Sequence, residues 1–218
     1  MRRIALIVAG GKGMRMNTSI AKQFLSLNES PILIHTIKKF LDFDEIILVL
    51  PKSEFEYWSK LCLKYNFNQP HKIVEGGKTR FTSVKNGLKK ITDSNAIIAI
   101  HDGVRPLISK KLIAELISSV ENGLGVVPVV PIKNSIREIK NGKSLNLNRS
   151  DLYSVQTPQC FLVSEIKTAY KNASSDKFTD DASVFEESSG KIKTVLGEEK
   201  NIKITTQEDL LIAELFNQ

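Results

Sequence analysis

The first half of the chain alternates short apolar runs with segments whose apolar residues recur every three or four positions. Continuous runs rich in β-branched residues are typical of strands buried on both faces, and the longer spacing is typical of helices. The predicted strands are 3–9, 45–51, 71–77 and 96–102, and the predicted helices are 31–41, 53–65, 81–91 and 109–120. This alternation predicts an α/β, Rossmann-like fold, in which a mostly parallel sheet is flanked by helices on both faces.

Particular residues mark where these helices are expected to begin. Pro31 fits the first turn of the first helix, because the N–H that proline lacks would have no partner there. Ser53 is followed three residues later by Glu56, which is a capping-box pattern with Ser53 as the N-cap. Ser109 is the expected N-cap of the fourth helix. We therefore expect the second and fourth helices to begin just after these serines.

The second half of the chain first departs from this alternation. Residues 132–155 contain strand-like runs on either side of KNGK (140–143), which is typical of a tight turn. We interpret 132–155 as a β-hairpin arm. Because the arm has too few apolar residues for a core of its own, it is predicted to lie on a partner subunit and so to form a homodimer.

The last forty residues return to the pattern of the first half. We predict a helix over 179–190, a strand over 191–197, a short strand over 201–205 and a final helix over 206–216. Thr179 is the expected N-cap of the first of these helices, which has acidic residues in its first turn. With no internal repeat or clear linker, we interpret 1–218 as a single domain.

The charge balance favours an anionic partner. Lys and Arg number 31 against 24 Asp and Glu in 218 residues, a net charge of +7. The lysines are scattered along the chain, with no basic stripe, interleaved aromatics or nucleic-acid-binding motif. We therefore expect a phosphorylated small molecule as the partner, and neither a nucleic acid nor a membrane surface.

Several absences point to a cytoplasmic protein. No apolar stretch approaches the ~20 residues of a membrane span. The run 4–9 is too short for the apolar region of a signal peptide and leads directly into glycines. Cys62 and Cys160 have no spacing typical of a disulfide framework or a metal site, so we expect both as free thiols in a reducing compartment.

A glycine-rich loop with two nearby cations follows the first strand. Gly10, Gly11 and Gly13 are followed by Arg15 and Lys22. The loop is neither a P-loop nor a dinucleotide-binding fingerprint, since the spacing and the final residues of both motifs differ. Backbone N–H groups of such a loop can surround phosphate oxygens that the cations neutralise. The loop therefore predicts a diphosphate or triphosphate site, although glycines alone would indicate only a turn.

Other chemistry-bearing residues follow the third and fourth predicted strands. GGKTR (76–80) follows the third, and HDGVRP (101–106) ends the fourth. Because ligands of open α/β sheets bind at the carboxyl ends of the strands, we expect these segments to share one site. His101 adjoins Asp102 but belongs to no nucleophile motif, so we interpret it as structural, as we do His35 and His71.

Together these motifs carry a family resemblance. AGGKGMRM (9–16), KQF (22–24), GGKTRFTSV (76–84), HDGVRP (101–106), QTPQ (156–159), TDDAS (179–183) and NIKIT (201–205) resemble the 2-C-methyl-D-erythritol 4-phosphate cytidylyltransferases, a family of sugar-nucleotide-type nucleotidyltransferases. The resemblance covers about 4–214 and implies an enzyme of non-mevalonate isoprenoid synthesis. The family usually has Pro where this chain has Ala21, and Ala-Ala where it has Gly103 and Val104.

The resemblance also implies roles for individual residues. Ala9, Gly10, Gly11 and Gly13 would surround the CTP phosphates, Arg15 and Lys22 would contact the α-phosphate, and Gly76, Arg80 and Ser83 would surround the cytosine and ribose. Asp102, Gly103 and Arg105 would line the nucleotide and metal region, and Ser135, Arg149, Thr157, Thr179 and Lys203 would hold the methylerythritol phosphate. Of these, Arg15, Lys22, Arg149 and Lys203 would carry the catalytic charge contacts.

The implied reaction is attack by a phosphate oxygen of the acceptor on the α-phosphorus of CTP, with loss of pyrophosphate. A phosphate monoester has a second pKa of about 6, so it is already anionic at neutral pH and needs no general base. The expected cofactor is Mg²⁺ or another divalent cation, which Asp102 would orient directly or through water.

Two alternatives stay open. Val104 resembles the ribitol 5-phosphate cytidylyltransferases, so another polyol phosphate is a possible acceptor, although TDDAS favours methylerythritol phosphate. A non-catalytic nucleotide-binding domain would explain the net charge of +7. It would not explain why cations recur at the strand ends, at Arg149 and in NIKIT.

Overall fold

The computed structural model describes residues 1–10 and 20–216. The strands of these two segments are β1 (Arg3–Val8), β2 (Ser26–Leu27), β3 (Ser30–Pro31), β4 (Glu45–Leu50), β5 (Lys72–Glu75), β6 (Ile97–Asp102), β7 (Leu124–Pro131), β8 (Ile136–Lys140), β9 (Lys143–Leu147), β10 (Tyr153–Val155), β11 (Gln159–Leu162) and β12 (Lys191–Leu196). The α-helices are α1 (Ile32–Lys38), α2 (Phe55–Lys64), α3 (Arg80–Leu88), α4 (Lys110–Ser118), α5 (Val163–Asn172), α6 (Asp181–Glu187) and α7 (Gln207–Phe216).

The central sheet is mixed and mostly parallel, which confirms the predicted fold class. Its order is β10-β7-β11-β6-β1-β4-β5, and β12 also pairs with β7. β5, β4, β1 and β6 are parallel neighbours, and β12 runs parallel to β7, whereas β10 and β11 are antiparallel to their neighbours. Val8 at the end of β1 is in register with Asp102 at the end of β6 and with Val49 of β4. The carboxyl ends of the parallel strands therefore meet at one edge of the sheet.

Alternate residues of the central strands fill two cores, one on each face of the sheet. Ala5 and Ile7 of β1 belong to a buried cluster with residues of α1, α2 and α4. Ile4 and Leu6 belong to a second cluster with residues of α3, α5 and α6. Because successive side chains of a strand point to opposite faces, the apolar run of β1 supplies both cores. Helices therefore cover both faces, as predicted.

The predicted helix starts are correct at one serine and wrong at the other. Ser109 caps α4, its side chain accepting a hydrogen bond from the Leu112 N–H. Ser53 caps nothing, because the chain first makes a 3₁₀ turn over Lys52–Glu54 and α2 begins at Phe55. Pro31 precedes α1 as its N-cap, in an extended conformation.

Two further boundaries near the C-terminus differ from the prediction. The N-cap of α6 is Asp180, whose carboxylate accepts from the Ser183 N–H, and Thr179 lies outside the helix. The segment 201–205 is not a strand. Its Ile204 N–H donates to the carbonyl oxygen of Val104, and the Ile204 side chain is fully buried. The apolar alternation of this segment thus reflects a loop packed on the body of the protein.

The predicted arm is a hairpin, but a shorter one than expected. β8 and β9 pair through a two-residue turn in which Asn141 and Gly142 have φ values of 50° and 75°. These positive values fit the tight turn predicted for KNGK. Residues 153–155 are part of the main sheet instead, because β10 pairs with β7. Ile139 and Leu145 on the hairpin are 74% and 62% exposed, so one chain leaves its apolar side chains uncovered.

The helices described above are all short. Within 1–10 and 20–216, we find no helix with the length and apolar character needed to cross a membrane.

Candidate active site

A cavity of about 690 Å³ opens at the carboxyl edge of the parallel strands. It is formed by the ends of β1, β4, β5 and β6, the beginning of α3, and the loop that precedes α7. Its lining residues are Val8, Ala9, Gly10, Lys22, Gln23, Pro51, Lys52, Glu75, Gly76, Gly77, Lys78, Thr79, Arg80, Ser83, Asp102, Val104 and Lys203. Several of the residues that the sequence predicts for one site therefore line a single cavity at this edge.

Ser83 organises the side of the cavity where the β5–α3 loop meets β1. Its hydroxyl accepts a hydrogen bond from the Gly77 N–H at 3.0 Å and donates one to the Thr79 carbonyl oxygen at 2.9 Å. A Cβ built on Gly10 would lie 3.3 Å from the Ser83 Oγ, and one on Gly76 would lie 3.2 Å from it. Glycines at both positions thus let two backbone segments approach Ser83 closely, leaving main-chain groups at the surface of the cavity.

Asp102 gathers three cations at the floor of the cavity. Its carboxylate lies 3.0 Å from the Lys203 Nζ, 3.4 Å from the Arg105 Nε and 3.5 Å from the Arg80 Nε. Burial alone would raise the pKa of Asp102, but the three cations outweigh that effect and hold the pKa well below its ordinary value. Asp102 therefore stays ionised and keeps positive groups oriented before any anionic substrate binds.

A second buried carboxylate holds Arg80. The Nη1 and Nη2 of Arg80 donate to the two oxygens of Asp181 at 2.9 and 2.7 Å, although the residues are 101 positions apart. Asp181 is completely buried at the first turn of α6. Gln159 fixes that turn, since its side-chain oxygen accepts from the Asp181 and Ala182 N–H groups. A bidentate pair of this kind fixes the plane of the guanidinium as well as its position.

His101 lies behind Asp102 in a chain of hydrogen bonds. The Asp102 N–H donates to the Thr157 hydroxyl, which pairs with the His101 Nδ1 at 3.0 Å, and the His101 Nε2 pairs with the Arg105 carbonyl oxygen at 3.0 Å. A carbonyl can only accept, so Nε2 carries the proton and Nδ1 accepts from Thr157. Burial lowers the pKa of His101 to about 4, which keeps the ring neutral. This arrangement agrees with the structural role expected for His101.

Lys203 reaches Asp102 from a loop that the QTPQ segment anchors. The Arg105 Nη1 donates to the Asn201 carbonyl oxygen at 2.7 Å. The Asn201 side chain donates to the Thr157 carbonyl oxygen, and the Gln156 side chain donates to the Glu198 carbonyl oxygen. These bonds explain why the sequence of 201–205 holds a fixed conformation without being a strand.

Lys22 is carried by a 3₁₀ turn over Lys22–Phe24. The buried Gln23 next to it donates from its amide to the Ala9 carbonyl oxygen at 3.0 Å, and Phe24 is buried in the core. The KQF segment thus ties a cavity lysine to the end of β1. Gly11, Gly13 and Arg15, which the sequence placed in the same phosphate site, lie outside the residues that the structure describes.

Comparison with known proteins agrees with this geometry. The family model for 2-C-methyl-D-erythritol 4-phosphate cytidylyltransferase matches residues 3–218. A curated protein of that name from Azobacteroides pseudotrichonymphae is 50% identical over 98% of this chain and 97% of its own length. Another of the same name, from Phocaeicola vulgatus, is 44% identical over 99% of this chain and all of its own.

The chain belongs to the 2-C-methyl-D-erythritol 4-phosphate cytidylyltransferase family. The solved structure of 4-diphosphocytidyl-2C-methyl-D-erythritol synthase from Anaerococcus prevotii agrees, with a TM-score of 0.82 and 30% identity over all of this chain and 98% of that one. As a member of this family, the protein is a nucleotidyltransferase.

The structure brings together only part of the residues expected for a cytidylyltransferase of this family. Those on the cavity are Ala9, Gly10, Lys22, Gly76, Arg80, Ser83, Asp102 and Lys203, with Arg105 bound to Asp102 from behind. Gly103 packs against β1, where a Cβ would lie 2.8 Å from that of Ala9. Thr157 lies beneath Asp102, its hydroxyl engaged with His101. Ser135, Arg149 and Thr179 are exposed, away from the lining of the cavity.

Sequence reasoning missed several residues that shape the site. Lys52 and Lys78 are exposed cations on its rim. A signal for both was present, since each directly follows a strand-ending segment, Lys52 after Pro51 and Lys78 after Gly77. Asp181 was expected only as a first-turn residue of a helix. Its pairing with Arg80 gave no sequence signal, because nothing local connects α6 to α3.

The cavity lining offers one buried carboxylate, that of Asp102, to a magnesium ion that would arrive with a nucleotide. Among the described residues, no group of three or more His, Cys, Asp or Glu could hold a metal ion. Asp102 is a buried carboxylate on the lining, with three cations beside it, and Glu75 is exposed. Mg²⁺ keeps several waters and is commonly bound by one or two carboxylates together with substrate phosphates. Asp102 would therefore hold the ion through water.

Proposed function

We propose that this protein transfers the cytidylyl group of CTP to 2-C-methyl-D-erythritol 4-phosphate, forming 4-diphosphocytidyl-2-C-methyl-D-erythritol and pyrophosphate in isoprenoid precursor synthesis. The observation that carries the proposal is the family match over residues 3–218. The cavity supports it with Lys22, Arg80 and Lys203 on the lining of one cleft. Two polyanions must meet in this reaction, and fixed cations favour that encounter.

The reaction needs charge stabilisation and positioning. An oxygen of the acceptor phosphate forms a bond to the α-phosphorus of CTP, and the bond from the α-phosphorus to the bridging oxygen breaks with its electrons leaving on pyrophosphate. Because the acceptor is anionic at neutral pH, no side chain has to remove a proton. The neutral, buried His101 has no part in such a step. A bound Mg²⁺ would supply further charge neutralisation on the phosphates.

Each side of the cavity has its own part in the proposal. Gly10 would offer its backbone to the phosphates, and Lys22 would stabilise charge that develops on the α-phosphate. Gly76 and Ser83 would bound the slot for the base, in which close packing favours a pyrimidine over a larger purine. Lys203 would hold the acceptor phosphate, and Asp102 orients Lys203 before the substrates bind. Gly11, Gly13 and Arg15 are proposed to complete the phosphate site.

We further propose that the hairpin arm completes the active site of a second subunit in a homodimer. Ser135 and Arg149 lie at the two ends of the hairpin and are exposed, yet the family pattern assigns them to the acceptor phosphate. The exposed Ile139 and Leu145 would be covered by the same contact. If two subunits exchanged arms about a two-fold axis, the arm residues could reach the acceptor phosphate of the partner, and the exposed apolar side chains would be covered. We treat 1–218 as one domain that contributes to two sites.

A second candidate acceptor is ribitol 5-phosphate. The observation in its favour is Val104, which lines the cavity at the position where the sequence resembles enzymes for that substrate. Both candidates share the phosphate, which the cations recognise, and differ in the carbon skeleton. Cytidylyl transfer must therefore be measured with both compounds to identify the acceptor.

The test is pyrophosphate release in the presence of Mg²⁺, CTP and either methylerythritol 4-phosphate or ribitol 5-phosphate. We expect kcat/KM to be highest for methylerythritol 4-phosphate, and to fall when ATP or GTP replaces CTP. A preference for ribitol 5-phosphate would correct the acceptor alone. Binding of CTP with no acceptor-dependent release of pyrophosphate would favour a non-catalytic nucleotide-binding protein.

A further inference from the structure

A buried chain of polar groups runs from helix α5 to the cavity. The Tyr170 hydroxyl donates to the Asp181 Oδ1 at 2.6 Å. Asp181 in turn accepts both Nη groups of Arg80, and the Arg80 Nε lies 3.5 Å from the Asp102 Oδ1. Three helices that are distant in sequence, α3, α5 and α6, thus meet behind a residue of the cavity lining.

Tyr170 itself is outside the cavity. Its side chain is 2% exposed and is absent from the lining of the site. Its ring stacks on Phe81, with centroids 4.7 Å apart and planes 21° apart. Phe81 is the neighbour of Arg80 in α3, so Tyr170 contacts the helix of Arg80 through its ring and the partner of Arg80 through its hydroxyl. Any effect of the hydroxyl on substrates must therefore pass through Asp181 and Arg80.

The hydroxyl gives Asp181 a contact that Arg80 cannot supply. Asp181 is completely buried, and its Oδ1 accepts from both Tyr170 and the Arg80 Nη1, while its Oδ2 accepts from the Arg80 Nη2. Without the Tyr170 hydroxyl, the Asp181 carboxylate would keep only its hydrogen bonds to Arg80, and Arg80 is the side chain that Asp181 has to orient. Burial raises the pKa of Tyr170, and the charge of Asp181 raises it further, so the hydroxyl keeps the proton that it donates.

We propose that Tyr170 is a positioning residue for cytidylyl transfer, whose hydroxyl fixes Asp181 so that Asp181 presents Arg80 to the nucleotide. The inference rests on the proposed function and on the family resemblance, which implies that Arg80 lies beside the base and ribose of CTP. Because Arg80 contacts the nucleotide in this scheme and the reacting phosphate is held by other cations, the loss of the hydroxyl should affect CTP binding more than turnover.

The first test is Tyr170→Phe, which keeps the ring and its stacking on Phe81 and removes only the hydroxyl. We expect the Kd of CTP, measured by calorimetry, and the KM of CTP to rise about fivefold to tenfold, as for one weakened hydrogen bond between a displaced Arg80 and the nucleotide, while kcat changes less than about twofold. Tyr65→Phe is the matched control, since Tyr65 is half-buried at the end of α2 and away from this chain of bonds. It should leave the Kd of CTP, the KM of CTP and kcat unchanged.

The second test separates positioning from mere stability. Arg80→Lys keeps a positive charge but lacks the two-pronged contact that Asp181 aligns. In the Arg80→Lys background, Tyr170→Phe should raise the Kd of CTP by less than about twofold, because the guanidinium that Asp181 aligns is no longer present. The same factor in both backgrounds, or wild-type CTP affinity in Tyr170→Phe, would overturn the inference. A wild-type chain that binds no CTP would overturn it together with the proposed function, and is recognised without any variant.

Discussion

Asp102 in the cavity and Arg149 at the base of the arm are held by very different surroundings. Asp102 is 6% exposed, and three cations and a backbone hydrogen bond fix it. Arg149 is exposed on a 3₁₀ turn, and no ion pair joins it to another residue in the described segments. The folded chain thus dictates the geometry of one candidate site residue and leaves the side chain of the other exposed, where the proposed dimer would have to position it.

The same contrast holds for the elements that carry these residues. The cavity is built on strand ends whose apolar residues fill two cores, so its backbone cannot move without disturbing the fold. The hairpin of β8 and β9 has few apolar residues, and two of them, Ile139 and Leu145, are exposed. A site assembled from both regions would be preorganised for the nucleotide and would become complete for the acceptor only on dimerisation. The predictions below break or sharpen this division.

The largest effect is expected from removing the arm. Residues 133–149 would be replaced by Asn-Gly, which can close the gap because the Ile132 N–H already donates to the Leu152 carbonyl oxygen. We expect a folded monomer with no detectable cytidylyl transfer but near wild-type affinity for CTP. Analytical ultracentrifugation, turnover and calorimetry on one preparation would measure all three. A monomer that transfers at full rate would show that the arm is not part of the site.

Mixed dimers would sharpen the same point without shortening the chain. Lys22→Ala damages the cavity of its own subunit, and Arg149→Ala damages only the arm. If the arm acts on the partner, random re-pairing of two inactive variants should restore about a quarter of wild-type activity, because half of the dimers would have one intact site. Activity that stays at the level of the separate variants would place Arg149 in the site of its own chain or outside any site.

Lys22→Ala by itself should have the next largest effect. Loss of one charge contact to the transition state should lower kcat by roughly 10²- to 10³-fold, with a much smaller change in CTP affinity. Rapid-quench kinetics and calorimetry would separate the two quantities. Lys52→Ala is the control, since Lys52 is an exposed lysine on the rim of the same cavity and should lower kcat far less. Equal losses in both variants would indicate a general electrostatic effect.

The sequence was sufficient wherever a local pattern had a local cause. The apolar run before Gly10 predicted a buried strand, and the apolar run before HDGVRP predicted a second strand that ends at Asp102. Both follow from the period of strands and the topology of parallel sheets. The tight turn at Asn141 and Gly142 was predictable for a similar reason, since those residues tolerate positive φ.

What could not be predicted depends on contacts between distant residues. The pairing of Arg80 with Asp181 requires α3 and α6 to meet across the second core, and no sequence period encodes that meeting. The segment NIKIT alternates like a strand, yet the Arg105 and Gln156 side chains hold this region as a loop. Ser53 has the pattern of a cap, but the 3₁₀ turn after Pro51 moves the start of α2 beyond it. In NIKIT, tertiary contacts thus override local preference, whereas at Ser53 a local turn displaces the start of the helix.

The smallest expected effect concerns stability, and it tests the rigid region alone. His101 has a pKa of about 4 in the folded protein against an ordinary 6.5, because burial disfavours its charged form. Between these pH values the unfolded chain binds a proton that the native chain excludes, so stability must fall as the pH falls from 6.5 to 4. This one group should account for a loss of about 3 kcal/mol in the free energy of unfolding over that interval.

Urea unfolding of the wild type and of His101→Asn at a series of pH values would measure this loss. The variant should be less stable at pH 7, since Thr157 and the Arg105 carbonyl lose their partner, but its stability should decline less steeply between pH 6.5 and 4. His35, whose pKa burial also lowers, contributes to the slope in both proteins and cancels in the comparison. The low pKa of Asp102 affects stability mainly below this window, where unfolded carboxylates become protonated. Parallel pH profiles for the two proteins would mean that His101 is charged in the native state, and the hydrogen-bond directions assigned around Asp102 would then be wrong.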